Sequence, residues 1–130
     1  MRPAEPIWVT LEVALAVHEE QLAEHGGAMG LRDAGLLESA IARPRQLYAY
    51  GERSLTRLAA AYAFAMARNH PFLDGNKRVS LVLAELFLEL NGLTLAASDA
   101  ACVTTFLGLA AGELDEEGLA AWIEASVRSG

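Results

Sequence analysis

Within the run His-Pro-Phe-Leu-Asp-Gly-Asn-Lys-Arg at residues 70–78, five residue types able to do chemistry stand close together: His70, Asp74, Asn76, Lys77 and Arg78. An imidazole is a general base near neutral pH. A carboxylate such as Asp74 can hold Mg2+, which binds through few protein oxygens and completes its shell with phosphates and water. Lys77 offers a point charge and Arg78 a planar fork matched to phosphate oxygens. Asn76 can donate from its amide, and Gly75 lets a ligand come close to the backbone. Together these suit transfer of a phosphorus-containing group to a hydroxyl. Taken singly, each has a plainer role: Asp74 as a helix N-cap, His70 hydrogen-bonded at a helix end, Lys77 and Arg78 as solvated charges. Their concentration in one loop between apolar segments favours catalysis.

Other chemistries fit less well. A Walker A loop needs a glycine well before its Gly-Lys pair and follows a strand, whereas Lys77 follows Asn76 after an expected helix. For zinc only His18 and His25 remain as further histidines, and Cys102 is the sole cysteine. The net charge of −7 argues against nucleic-acid binding, which needs a basic face. One cysteine forms no intramolecular disulfide. The opening Met-Arg-Pro-Ala-Glu-Pro has no apolar core, so a reducing cytoplasm is the expected compartment. The longest apolar stretch, residues 79–90, is too short to span a bilayer and carries Glu85 and Glu89, so no membrane partner is expected.

The elements that must position the loop are helical. The composition is 53% hydrophobic, with Ala and Leu prominent, which favours helix. Thr10 is an N-cap for a first helix reaching His25, with Leu11, Ala14, Leu15, His18 and Leu22 on one face and Gly26-Gly27 at its end. Asp33 caps a short helix over residues 34–42, which Pro44 stops. Residues 43–53 read as a loop carrying Tyr48 and Tyr50. Ser54 caps a third helix, 55–69, apolar on nearly every side and therefore buried. Pro71 ends it at His70. Phe72 anchors the loop, and a second buried helix covers 75–90. Residues 93–95 form an extended link, Ser98 caps a fifth helix to 111, and Asp115 a sixth to about 127. The expectation is a single all-α domain, 1–130, with a central helix pair. Within it His18 reads as a satisfied core histidine and Cys102 as a small buried hydrophobe. Trp8 and Trp122 read as packing or partner-contact positions. Arg68 is either an electrostatic support to the loop or solvated.

Residues 70–78 closely resemble the signature loop of the Fic/Doc family. Lys77, where most Fic enzymes carry glycine, resembles the Doc branch. Gly30-Leu31-Arg32-Asp33, Gly35-Leu36-Leu37-Glu38-Ser39-Ala40 and Arg43-Pro44 resemble the N-terminal part of Doc-like toxins. The resemblance implies the Fic fold: about six helices, with a buried central helix following the loop. It implies a type II toxin that transfers the γ-phosphate of ATP, with Mg2+, to a threonine of translation elongation factor Tu and stops protein synthesis. His70 would take the hydroxyl proton, Asp74 would position Mg2+, and Gly75, Asn76, Lys77 and Arg78 would bind the phosphates. Tyr48 and Tyr50 would lie in the family's target-docking flap, where they either hold the target or pack the loop down. Two positions depart from the Doc pattern: Gly75, alanine in Doc, and Val82, asparagine there. Most Fic relatives transfer AMP instead, and a catalytically inactive partner-binding module is the remaining alternative. No glutamate has Ser or Thr four residues before it, so the inhibitory helix of many relatives has no counterpart here. Restraint is therefore expected from a separate antitoxin that folds a tail onto the domain.

Overall fold

Five helix starts coincide with the polar residues that mark them in the sequence. The computed structural model describes residues 5–129. In chain order these form α1 (Leu11–His25), α2 (Ala34–Ala49), α3 (Leu55–Asn69), α4 (Asn76–Leu90), β1 (Leu93–Leu95), α5 (Asp99–Ala110), α6 (Glu116–Ser126) and β2 (Val127–Ser129). The side chains of Thr10, Asp33, Ser54, Ser98 and Asp115 each accept a backbone N–H three residues on. Each bond satisfies one donor that a helix start leaves without an intrahelical partner. Among the described residues the strands make only one two-stranded ribbon, so the fold is all-α as expected.

The Ala-rich α3 lies at the centre, packed by α2, α4 and α6. Its small side chains let neighbouring helices approach closely, while Leu58, Tyr62 and Met66 fill the remaining space and are fully buried. Its main partner is α4, which buries Val79, Leu83, Ala84, Phe87 and Leu88. Each large apolar side chain removed from water here contributes about 1.5–3 kcal/mol. The expected central pair is therefore α3 and α4, and the signature loop is the turn between them. No helix among the described residues is long and apolar enough to cross a membrane.

The segment before α1 is tied to this pair. Trp8 stacks on Phe87 with ring centroids 5.8 Å apart. The Tyr62 hydroxyl accepts from Val9 N–H at 3.0 Å and donates to the Val9 carbonyl at 3.1 Å. Asn91 brackets Ile7 in the same way, accepting from its N–H at 2.8 Å and donating to its carbonyl at 2.9 Å. Because α1 is anchored at its start, its Ala14–His18 face meets α4.

Two expectations need correction. Pro44 does not stop α2, which continues to Ala49. Proline removes one i→i−4 hydrogen bond and crowds the preceding turn. Here, though, Leu37, Ala40, Ile41 and Pro44 are buried along one helical stripe, and Leu47 and Tyr48 extend it against the core. Burial of that stripe offsets the lost bond. Residues 43–53 are thus mostly helix, not a loop. The second correction is β2, which takes over where α6 ends and pairs antiparallel with β1, Leu95 opposite Val127 and Leu93 opposite Ser129.

Replacing Tyr62 with Phe leaves the buried Val9 N–H and carbonyl unpaired. A destabilisation of about 1–3 kcal/mol is expected in thermal unfolding. Burial pushes the Tyr62 hydroxyl up from 10.0 to about 12, with the Val9 bond and Arg45 pulling the other way. Since the folded value lies above the unfolded one, this stability is intact below pH 10.0 and is lost as pH rises through about 12. Wild type should show that alkaline loss and Tyr62→Phe should not.

Candidate active site

The loop begins where α3 ends. His70 adopts a left-handed conformation (φ 52°, ψ 53°) and is the one non-glycine among the described residues with positive φ. That conformation costs an L-residue about 1–2 kcal/mol. The Met66 carbonyl accepts the His70 N–H at 3.1 Å, as in a left-handed helix cap. Arg32 closes the turn: its Nε donates to the His70 carbonyl and its Nη2 to the Asn69 carbonyl, each at 2.7 Å. The Asn69 amide in turn donates to the Leu36 carbonyl at 2.9 Å. The sequence correctly ends α3 at this point, but the pre-proline residue turns left-handed where a more extended conformation is usual.

Residues 30–33 run antiparallel to the loop. Leu31 pairs with Phe72, Leu73 N–H donates to the Gly30 carbonyl at 3.1 Å, and the N–H groups of Arg32 and Asp33 both donate to the Pro71 carbonyl. Phe72 is buried as expected and lies under His18, with ring centroids 3.7 Å apart and nearly parallel planes. His18, only 5% exposed, donates from Nε2 to the Asp74 carbonyl at 2.9 Å. It is a satisfied core histidine, and it also props the loop from beneath.

Asn76 corrects an expectation. Its amide does not face an anion. It is buried, accepting from Phe72 N–H through Oδ1 at 3.0 Å and donating from Nδ2 to the Phe72 carbonyl at 2.9 Å. Asparagine types for phosphate donation and for backbone bracketing look alike in a sequence, and here the bracket takes both ends of the amide. What Asn76 offers an anion is its backbone N–H.

That N–H belongs to a helix start unlike the others. Gly75, at φ 84°, is the N-cap of α4 and supplies no side-chain hydrogen bond. The N–H groups of Asn76, Lys77 and Arg78 precede the first intrahelical bond, from Val79 N–H to the Gly75 carbonyl. They point out at the positive end of the helix dipole, where an anion is favoured. Asp74 Oδ1 accepts from Gly75 N–H at 2.8 Å, and Oδ2 lies 3.4 Å from Ala28 N–H. Gly27 makes that approach possible, since a Cβ there would stand 2.7 Å from Asp74 Oδ2. The carboxylate keeps free lone pairs and is exposed, which fits a Mg2+ ion held by one carboxylate together with phosphates. Among the described residues no three His, Cys, Asp or Glu side chains gather into a metal site.

His70, Asp74, Gly75, Asn76, Lys77, Arg78 and Ala110 line one cleft of about 290 Å³. His70, Lys77 and Arg78 are exposed in it, and among the described residues no carboxylate pairs with either cation. A larger groove of about 650 Å³ lies between α1 and residues 27–31, with Phe72 in its wall. Apart from His18 and Glu19 its walls carry no ionisable group, so the smaller cleft is the candidate site. Elsewhere, burial and then Glu89 and Asp99 raise the Glu85 carboxyl above its usual range. Burial and then Glu85 and Asp99 raise the thiol of the buried Cys102 above its usual range.

Tyr48 and Tyr50 do not join the cleft. The docking loop expected over residues 43–53 is helical to Ala49. Tyr48 meets Trp8 edge-on at 5.6 Å and lies 4.0 Å beneath the Arg53 guanidinium carbon, while Tyr50 is 91% exposed in the following turn. The segment that adjoins the loop is residues 26–33. Arg32 and Gly27 were not singled out as site residues by sequence, and His18 only as core. The sole sequence signal for Arg32 is its place in Gly30-Leu31-Arg32-Asp33.

Asn76→Ala tests the reassigned role. It leaves two buried backbone groups of Phe72 unpaired, so the nucleotide-free protein should lose about 2–3 kcal/mol in chemical denaturation. An amide that contacted only an anion would leave that stability unchanged.

The Fic/DOC family model matches residues 8–88. Over 113 residues the chain is 35% identical to Protein kinase doc of Escherichia phage P1, covering 86% of this chain and 89% of that protein. Over 75 residues it is 48% identical to Toxin Doc of Mycolicibacterium smegmatis, covering 55% of this chain and a little over half, 57%, of the toxin.

Proposed function

The chain belongs to the Fic/DOC family, and on that premise we propose that it is a Doc-like toxin whose activity is protein phosphorylation. On this reading residues 1–130 act as one domain in the cytoplasm. The γ-phosphate of ATP passes to a Thr or Ser hydroxyl of a translation factor, elongation factor Tu, and translation stops. A separate antitoxin restrains the activity. The observation that carries the reading is the shared cleft, lined by an exposed imidazole, an uncapped helix start and two cations with which no carboxylate pairs among the described residues. The phage relative, named a protein kinase, supports phosphoryl transfer in particular.

In this mechanism His70 accepts the proton of the target hydroxyl as its oxygen bonds to the γ-phosphorus. The bond from that phosphorus to the bridging oxygen breaks, and ADP leaves. The N–H groups of Asn76, Lys77 and Arg78 orient the phosphates, and the two cationic side chains oppose the charge that accumulates on them. Mg2+ held at Asp74 would neutralise charge on the phosphate oxygens. Gly75, the residue of the general Fic loop, favours AMP transfer as the second reading.

ATP labelled separately at the α and γ positions, incubated with elongation factor Tu, distinguishes the two. The kinase reading predicts label from the γ position only, and α label on the target would overturn it. His70→Ala should lower transfer by about 100-fold or more while ATP binding persists. A variant that arrests growth as well as wild type would remove catalysis as the cause.

A further inference from the structure

We infer that Arg32 is a positioning residue: it fixes the left-handed turn at His70, and with it the direction in which the imidazole faces the cleft, without itself lining the cleft. The inference deepens the assignment of His70 as base and rests on that assignment.

Three consecutive carbonyls, those of Asn69, His70 and Pro71, accept hydrogen bonds from this one residue. The guanidinium takes the first two at 2.7 Å each, and the Arg32 backbone N–H takes the third, also at 2.7 Å. The first is the last carbonyl of α3 and the second belongs to its C-cap, at the end where the helix dipole presents partial negative charge, so the positive fork is attracted as well as hydrogen-bonded. Among the described residues no carboxylate pairs with Arg32, so its charge is directed at the backbone. The turn needs such support. His70 is not glycine, it has positive φ, and it precedes proline, which restricts it further.

The geometry is specific to arginine. A planar fork reaches two carbonyls on successive residues at once, whereas an ammonium is a single point on a flexible stem. Arg32 also sits at the opposite end of the loop from the phosphate-facing amides. The Asp74–Asn76 end is held separately, by His18 on the Asp74 carbonyl and by the Asn76 bracket on Phe72. Loss of the Arg32 fork should therefore disturb the base and spare the anion cradle.

The test uses the full chain with Arg32→Ala and Arg32→Lys. Backbone amide resonances of Asn69, His70, Phe72 and Leu73 should shift or broaden in Arg32→Ala, those of residues 76–78 and of the core should hold, and Arg32→Lys should fall between. In transfer assays kcat should drop by about 10–100-fold, the scale of a small misplacement of a reacting group. The KM for ATP should stay within about twofold, because the phosphate cradle is intact. Low millimolar guanidinium should restore part of the lost turnover to Arg32→Ala and none to His70→Ala. Unchanged resonances at Asn69, His70, Phe72 and Leu73 would overturn the inference. So would spectral changes spread through the core, or equal losses in kcat and ATP affinity, which indicate a general structural role. A wild type that transfers nothing from ATP would overturn the proposed function instead, and the amide spectra, which need no turnover, would still decide Arg32.

Discussion

The buried amide of Asn76 gripping both backbone groups of Phe72 is the contact on which the site depends. A tight turn between two buried helices must place polar backbone inside the core, and each buried group left unpaired is costly. Asn76 solves this for Phe72, whose ring can then sink against His18 and fasten the loop to the core. With Phe72 pointing inward, the residues around it turn outward. His70, Asp74, Lys77 and Arg78 are exposed, while Pro71, Phe72 and Asn76 are buried. The loop thus turns its charged and ionisable side chains outward while Phe72 and the Asn76 amide that brackets it stay inside.

Held this way, the loop leaves one helix start open. Thr10, Asp33, Ser54, Ser98 and Asp115 each close a helix N-terminus with a side chain, and α4 has only Gly75. The carboxylate that would ordinarily cap it, Asp74, bends back to Gly75 N–H and stands near Ala28 N–H. Open helix-start N–H groups, two cations with which no carboxylate pairs among the described residues, and one accessible carboxylate thus converge in a protein whose net charge is −7. The basic character is local, which suits a bound phosphate group and not a nucleic-acid backbone.

What the sequence made legible follows the range of the interactions. Helix starts depend on a side chain and an N–H three residues away, and the capped starts fall where polar residues mark them. The burial of α3 and α4 is visible in the apolar run 58–67 of the first and in the predominance of apolar residues from Val79 to Leu90 in the second. The local penalty of Pro44 alone predicts an early end to α2, but the buried stripe of Leu37, Ala40 and Ile41 keeps the helix packed through it. The β1–β2 pairing joins segments with two helices between them, and no local pattern specifies it. The supports of the site were hidden for the same reason. Arg32 lies 38 residues from His70, and His18 lies 56 from Asp74. Residue type singled out Asn76 but not its use, since one amide serves an anion or a backbone equally well.

A crystal structure with Mg2+ and a non-hydrolysable ATP analogue bound tests the central claim most directly. Phosphate oxygens should lie within hydrogen-bonding distance of the N–H groups of Asn76, Lys77 and Arg78, with the terminal phosphorus on the His70 side of the cleft and Asn76 still bracketing Phe72. Phosphates lodged in the groove between α1 and residues 27–31, or a cleft in which the Asn76 amide has left Phe72 to reach the nucleotide, would contradict it.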